Sequence, residues 1–195
     1  MQSKLFFVAI SFFILPATFS QGFHVGAKAG ANINKIDGQS FTNRFTYGYH
    51  AGAFAEIKLS KKLSLQPEVL FNQINTDTSS TFGQLYNINS NKISSIKLNY
   101  ISIPLLLNLN LSKKFALQAG PQYGILIDQN DNLLQNGKNA FKQGDFSMLA
   151  GIQIKFSSLR LYGRYAIGLT NINDIDNQDK WKNQSIQIGV GLSLF

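Results

Sequence analysis

Residues 50–71, HAGAFAEIKLSKKLSLQPEVLF, alternate apolar and polar side chains, pause at Ser-Lys-Lys, and then alternate again. Alternation with a period of two predicts β-strands, because successive side chains of a strand point to opposite faces of the sheet. The stretch therefore predicts a hairpin with a short turn. Whether this hairpin belongs to a soluble protein or to a membrane protein depends on which of its two faces meets the core.

The same alternation recurs along the whole chain and predicts eight strands. Each is close to the length that a tilted membrane-spanning strand needs, since about 11 residues tilted near 45° rise roughly 25 Å. The predicted strands are 23–33, 47–59, 63–74, 96–111, 115–127, 145–156, 159–170 and 184–195.

The connections between these strands alternate in length. Segments 60–62, 112–114 and 157–158 read SKK, SKK and SS, whereas 34–46, 75–95, 128–144 and 171–183 are long and rich in Asn, Asp, Ser and Gly. Short turns at one end and long loops at the other are typical of up-and-down barrels of the bacterial outer membrane. The pattern predicts an all-β, eight-stranded antiparallel transmembrane barrel whose short turns and termini are periplasmic.

The two faces of the strands differ, and their composition indicates lipid on the outside. One face is apolar throughout, and the other is rich in glycine and carries few charges, which suits a crowded interior better than a solvated surface. A soluble lipocalin-like barrel would have the reverse orientation. Aromatic residues of the apolar face gather at the strand ends, as at two membrane interfaces: Phe23, Phe115 and Phe156 at the short-turn end, and Tyr47, Tyr49, Phe71, Tyr123 and Phe146 at the other.

The N-terminal residues 1–20 predict a secretory signal peptide, with Lys4 before an apolar run that is too short to span a bilayer. A short N-terminal anchor helix is the alternative. Residues 21–195 would then form the barrel domain. The chain contains no cysteine, which excludes a lipoprotein anchor and a disulfide-stabilised scaffold.

Three prolines, Pro67, Pro104 and Pro121, lie inside predicted strands. Proline cannot donate a hydrogen bond to a sheet ladder, and a closed barrel has no free edge to accommodate it. The sequence therefore predicts a local β-bulge at each proline.

Five segments resemble, in this order, the successive strands of the PorT-like outer-membrane β-barrel family, often labelled porin-family proteins and abundant in Bacteroidetes. The segments are GFHVGAKAGANI, LQPEVLFNQ, YISIPLLLNL, LQAGPQYGILI and LYGRYAIGLTNI. The resemblance implies an eight-stranded outer-membrane barrel, in most members without an assigned activity, and one member is connected with type IX secretion. It supplies no catalytic motif.

The predicted interior of the barrel carries ionisable side chains. An eight-stranded barrel is only wide enough to be filled by its own side chains, and charges held there need partners. We expect a structural salt-bridge network in the lumen, formed by Lys28, Glu56, Glu68, Arg160 and Arg164. A proton or ion path is the alternative.

No motif in the sequence predicts catalysis, a cofactor or a metal. His24 and His50 are separated by roughly 20 Å of strand, too far to share a metal, and each is expected to be a hydrogen-bonded interior residue. The segment containing Asp174, Asp176 and Asp179 departs from the EF-hand pattern, because Asp179 stands where glycine is needed.

The formal net charge of +8 raises the question of nucleic acid. Four of the lysines lie in the SKK turns, namely Lys61, Lys62, Lys113 and Lys114. At a periplasmic rim they are better placed to meet lipid headgroups or a protein partner, and the continuous basic face with stacking aromatics that nucleic acid requires is missing.

Two functional hypotheses follow. The first is a non-enzymatic outer-membrane protein with a filled lumen, which displays its long loops for binding or supports the envelope. The second is an accessory component of an outer-membrane secretion or transport assembly, docking through the lysine-rich turns. A barrel-embedded, lipid-modifying enzyme that uses His50 or Glu56 is a third alternative.

Overall fold

Eight antiparallel strands pair in chain order, and β1 pairs with β8 to close the barrel. The computed structural model describes residues 22–37, 45–77, 95–129, 144–171 and 182–194. The strands are β1 (Phe23–Asp37), β2 (Thr46–Lys58), β3 (Leu63–Asp77), β4 (Ser95–Asn110), β5 (Phe115–Gln129), β6 (Gly144–Phe156), β7 (Leu159–Gly168) and β8 (Lys182–Ser193). No helix among the described residues is long and apolar enough to cross a membrane. The predicted fold class is confirmed.

The residues predicted as a signal peptide, 1–20, lie outside the described residues. The division of the chain at residue 21 therefore stays a prediction.

The three short turns lie at one end of the barrel, and two of them are built alike. In the β2–β3 turn, the Ser60 hydroxyl accepts hydrogen bonds from the backbone N–H groups of Lys62 and Leu63, at 3.3 and 3.1 Å. The β4–β5 turn repeats this with Ser112, which accepts from Lys114 and Phe115 at 3.2 and 3.1 Å. The serine hydroxyl satisfies two backbone N–H groups that have no strand partner in the turn, and it thereby stabilises the chain reversal.

Bulges at the three prolines were expected, and this prediction is wrong. On one side of each proline, pairing lapses at the proline and at the residue before it, and the ladder then resumes in the same register. The one register shift in the described ladders lies in the β4–β5 pair, between Asn99 and Tyr100. The physical reason is that proline removes a donor without adding a residue, whereas a bulge requires an extra residue on one strand.

The barrel is apolar outside and polar inside. Outward side chains such as Val69, Val190 and Ile188 are about half exposed (55%, 49% and 56%), while the inward Asn32 and Asn108 have no exposed surface. Of the predicted aromatic rows, seven side chains are exposed and Phe71 is half-buried beside Tyr49, with 6.0 Å between the ring centroids. This distribution inverts that of a water-soluble protein.

The apolar part of the interior is small. Leu106, Leu149 and Ala166 form a buried cluster inside the barrel, and Phe54, Leu70 and Tyr100 are also buried. The remaining interior is occupied by polar and charged side chains, which hold the candidate site.

Candidate functional site: the lumen of the barrel

Three charged residues meet in the middle of the lumen, and we call them the central ion cluster: Lys28, Glu68 and Arg164. The Arg164 guanidinium donates two hydrogen bonds to the Glu68 carboxylate, both at 2.8 Å, and the Lys28 ammonium lies 3.0 Å from both of the same oxygens. All three side chains are at most 2% exposed. A planar guanidinium bound through two nitrogens fixes the carboxylate in orientation as well as in position.

The central ion cluster crosses the whole lumen. Glu68 lies in β3 and Arg164 in β7, which are four strands apart in a closed ring of eight and therefore face each other from opposite walls. The Arg164 Nε also donates to the Gln118 side chain in β5, at 2.8 Å. The Arg164 side chain thus ties three strands together across the barrel.

Tyr162 and His50 extend the network on the side of the long connections. The Lys28 ammonium lies 3.7 Å from the centre of the Tyr162 ring, a cation–π contact. The Tyr162 hydroxyl lies 2.5 Å from His50 Nε2, and His50 Nδ1 lies 2.6 Å from the Asn32 side-chain oxygen. His50 is therefore a hydrogen-bonded interior residue, as expected, with both ring nitrogens engaged.

A belt of amides lies between the central ion cluster and the short turns. Asn108 donates to Gln66 at 2.8 Å, and Gln118 donates to Asn108 at 2.8 Å and to Gln153 at 3.1 Å. Gln66 in turn donates to Glu68 at 2.7 Å, which connects the belt to the charges above it. Amides both donate and accept, so these four side chains bind one another across a narrow interior, although Gln153 Nε2 has no partner among the described residues.

A second ion pair lies nearer the short turns, and we call it the lower ion pair: Glu56 and Lys155. These residues belong to β2 and β6, again four strands apart and on opposite walls. The Ser64 hydroxyl donates to Glu56 at 2.8 Å, and Lys155 donates to the Asn110 side chain at 3.0 Å. Glu56 therefore has its own partners, separate from those of Glu68.

The structure divides the five residues that the sequence groups into one network. Lys28, Glu68 and Arg164 come together, but Glu56 pairs with Lys155, because Glu56 lies level with Gln66, two residues or roughly 7 Å of strand below Glu68. Arg160 is buried and donates to the backbone oxygen of Ser157 in its own turn.

Lys155 is a lumen residue that the sequence interpretation missed. It was not among the five residues predicted for the lumen network, yet in β6 the residues Ser147, Gln153 and Lys155 share one parity and face inward. That parity is the signal that would have placed the Lys155 side chain inside the barrel.

The four turn lysines, Lys61, Lys62, Lys113 and Lys114, are exposed at the end where the short turns lie. None of them forms an ion pair with a described residue. Within the described ranges, no three His, Asp, Glu or Cys residues are grouped so that they could hold a metal ion. The aspartates at 174, 176 and 179 lie outside the described residues.

Comparison with known proteins identifies a family. A family model described as an outer membrane protein beta-barrel domain matches residues 19–174, which is more than half of the chain. No curated protein matches the sequence.

Solved structures share the fold at low sequence identity. Ail of Yersinia pestis, solved in complex with the heparin analogue sucrose octasulfate, superposes with a TM-score of 0.52 at 9% identity, covering 89% of this chain and 100% of that one. OprG of Pseudomonas aeruginosa gives 0.52 at 11% identity, covering 89% and 96%. Neisserial surface protein A gives 0.50 at 13%, covering 89% and 98%. At these identities the likeness concerns the fold alone.

Proposed function

The chain belongs to the outer membrane protein beta-barrel domain family and is an integral protein of the outer membrane, and we propose that it acts there as a closed, non-enzymatic barrel. In this proposal the lumen carries no solute. The barrel presents its long connections outside the cell for binding, or supports the envelope, while its short turns and termini face the periplasm.

The observation that carries the proposal is the pair of ionic bridges between opposite walls. The central ion cluster joins β3 to β7 and the lower ion pair joins β2 to β6. An ion entering the lumen would have to separate buried, mutually paired charges at two successive heights, and removing one partner of a buried pair costs about 3–5 kcal/mol. An eight-stranded barrel has no spare width through which to bypass them.

The absence of enzymatic activity in this proposal rests on how the candidate groups are engaged. Both ring nitrogens of His50 have partners, in Asn32 and Tyr162. Glu56 is bound by Lys155 and Ser64. In this proposal these contacts serve packing and charge neutralisation, because polar and charged groups buried in the lumen need partners.

Conductance across planar bilayers tests the closed lumen. Pure refolded protein is expected to give no sustained current. The variant Lys28→Ala/Glu68→Ala/Arg164→Ala/Glu56→Ala/Lys155→Ala removes both bridges without leaving one of their charges unpaired, and it is expected to give short current steps. Folding of both proteins is checked by the heat-dependent shift in gel mobility. Reproducible ion steps from the unaltered protein would contradict the proposal.

A second candidate function is supported by the exposed lysines of the two SKK turns. We infer that this cationic rim suits docking of a periplasmic partner, as in an accessory component of a secretion or transport assembly of the type IX kind that the PorT-like resemblance implies. Two exposed turns with the same SKK sequence and the same serine-centred hydrogen bonds lie at one end of the barrel. Their exposure makes them available to a second protein.

Crosslinking in outer membranes followed by affinity purification tests this second function. Co-purification of a large assembly that is lost in Lys61→Ser/Lys62→Ser/Lys113→Ser/Lys114→Ser would support it. The control is Lys97→Ser/Lys182→Ser, which removes two exposed lysines at the other end of the strands. No co-purifying assembly, or equal loss in both variants, would refute it.

A further inference from the structure

A cavity of about 620 Å³ opens at the end of the barrel where the short turns lie. All three short turns contribute to its wall, through residues such as Lys61, Lys113 and Ser157, and the lower ion pair also lines it. We call this cavity the basic cup. Its lining carries six cationic side chains: Lys58, Lys61, Lys62, Lys113, Lys155 and Arg160.

The charges of the basic cup are not balanced by its own lining. Glu56 is the one carboxylate among the described residues that line it, and Glu56 is already paired with Lys155. Arg160, itself 7% exposed, donates to the Ser157 carbonyl, while its Nε is buried and has no hydrogen-bond partner among the described residues. Arg160 therefore adds a guanidinium charge to the lining that no carboxylate of the described lining neutralises.

The lining also indicates what kind of anion fits. Leu111 is the one large apolar residue among the described lining residues, and the other apolar surface of the cup belongs to side chains that end in charged or polar groups. Its volume lies within the range of about 300–1,000 Å³ that is typical of small-molecule sites. The ligand should therefore be compact, hydrophilic and multiply charged.

Charge density distinguishes phosphate from carboxylate. A phosphate group brings close to two negative charges and three acceptor oxygens, whereas an acidic peptide brings one charge with each whole residue. Within this volume, phosphate groups neutralise several lysines where a peptide neutralises few. Lysine and arginine both donate to phosphate oxygens, and the cup lining carries both.

We propose that the basic cup is a binding site for a compact polyanion that carries phosphate groups. Two kinds of molecule carry such groups: soluble phosphate esters of the periplasm and the headgroups of phosphorylated lipids. This inference goes beyond the proposed function and does not depend on whether the lumen conducts ions.

Isothermal titration of inorganic tripolyphosphate into the full refolded protein, in zwitterionic micelles at low salt, tests the site. We expect saturable binding to one site. The cup variant Lys61→Ser/Lys62→Ser/Lys113→Ser should weaken it at least tenfold. The control Lys97→Ser/Lys114→Ser/Lys182→Ser removes the same number of exposed lysines outside the cup, and it should change the affinity less than twofold.

Three results would overturn the proposal. No saturable binding of tripolyphosphate would show that the cup is not a site, and equal weakening in both triple variants would show attraction by net charge alone. Tighter binding of hexaglutamate than of tripolyphosphate would assign the cup to an acidic peptide. None of these results alters the bilayer conductance, so failure of this site and failure of the closed lumen are separable.

Nanodiscs distinguish the two sources of phosphate. If headgroups of the surrounding leaflet fill the cup, tripolyphosphate should bind more weakly in nanodiscs that contain phosphatidylglycerol than in pure phosphatidylcholine, and this difference should vanish in the cup variant. Equal affinity in both lipids would support a soluble phosphate ester as the ligand. Either result is consistent with the phosphate chemistry of the site.

Discussion

Glu68 is the residue on which the charges of the lumen converge. Its two oxygens accept hydrogen bonds from Lys28, Arg164 and Gln66, over distances of 2.7–3.0 Å. Two buried cations therefore share one carboxylate. Loss of the carboxylate would leave Lys28 and Arg164 close together without a counter-ion, whereas loss of Lys28 would leave a complete bidentate pair.

This asymmetry predicts different costs for two conservative changes. Glu68→Gln should lower the free energy of unfolding by about 3–5 kcal/mol, because it leaves two buried charges unpaired. Lys28→Gln should cost clearly less, since Arg164 and Glu68 remain paired. Urea unfolding in micelles, followed by tryptophan fluorescence, measures both. Equal losses for the two variants would contradict the arrangement of the central ion cluster.

Gly189 is one of several glycines whose identity is dictated by their neighbours. A Cβ atom there would collide with the Tyr162 hydroxyl and would lie 2.5 Å from the backbone oxygen of Ala29. At Gly163, in the neighbouring strand, a Cβ atom would meet nothing within 4 Å. The first glycine permits close packing of the lumen, and the second is not required by packing.

Gly189→Ala should therefore destabilise the barrel by about 1–3 kcal/mol, as overpacked positions do. Gly163→Ala should leave stability unchanged or raise it by up to about 1 kcal/mol, through the lower entropy of the unfolded chain. The same urea unfolding measures both changes. A larger loss at Gly163 than at Gly189 would be incompatible with the described packing.

Among the elements, the β6–β7 turn carries local strain. Ser157 has a φ of 53°, and it is the one non-glycine residue with positive φ among those that the structure describes. For a residue with a side chain, this left-handed conformation is unfavourable by roughly 1–2 kcal/mol. Glycine is therefore favoured at the first position of many two-residue hairpin loops.

Ser157→Gly should accordingly stabilise the protein, by about 0.5–1 kcal/mol once the greater freedom of the unfolded chain is subtracted. Ser158→Gly, one residue further along, should be neutral or slightly destabilising, since Ser158 has no positive φ to relieve. Unfolding midpoints of the two variants compare them directly. A destabilising Ser157→Gly would show that this turn is not strained.

The strands are the part of the fold that the sequence predicts well. Period-two alternation places all eight, although β1 continues to Asp37 rather than ending at 33 and β7 ends at Gly168 rather than 170. Alternation reports which face a side chain takes, and this is why the interior position of Lys28, Glu68 and Arg164 is readable from the sequence.

Partners across the lumen are less predictable. The pairing of Glu56 with Lys155 depends on the relative heights of β2 and β6, which are not neighbours. Those heights accumulate through the registers of the four intervening strand pairs, including the shift between Asn99 and Tyr100. The alternation within one strand carries no information about the combined registers of several strand pairs. The prediction of a bulge at each proline failed for a related reason, because the missing N–H donor interrupts the ladder without changing its register.

At the scale of the whole molecule, the barrel has exchanged the usual places of polar and apolar residues. Leucine, isoleucine, valine and aromatic side chains cover the outside, and buried ion pairs and amides fill the inside. Hydrocarbon has no hydrogen bonds to offer, so a closed ladder with an apolar outer surface is one of the few structures stable within it. The filled lumen and the basic cup both depend on this orientation.

Site-directed spin labelling tests the orientation most directly, and the absence of cysteine from the chain allows single cysteines without background changes. Labels replacing Val69 and Ile188 on the outer face, with Lys61 in a turn as the water-exposed reference, are compared in reconstituted bilayers. The two outer labels should be relaxed strongly by oxygen and weakly by a water-soluble nickel complex, with the reverse at Lys61. Strong relaxation by nickel at Val69 and Ile188 would contradict contact between the apolar face and lipid.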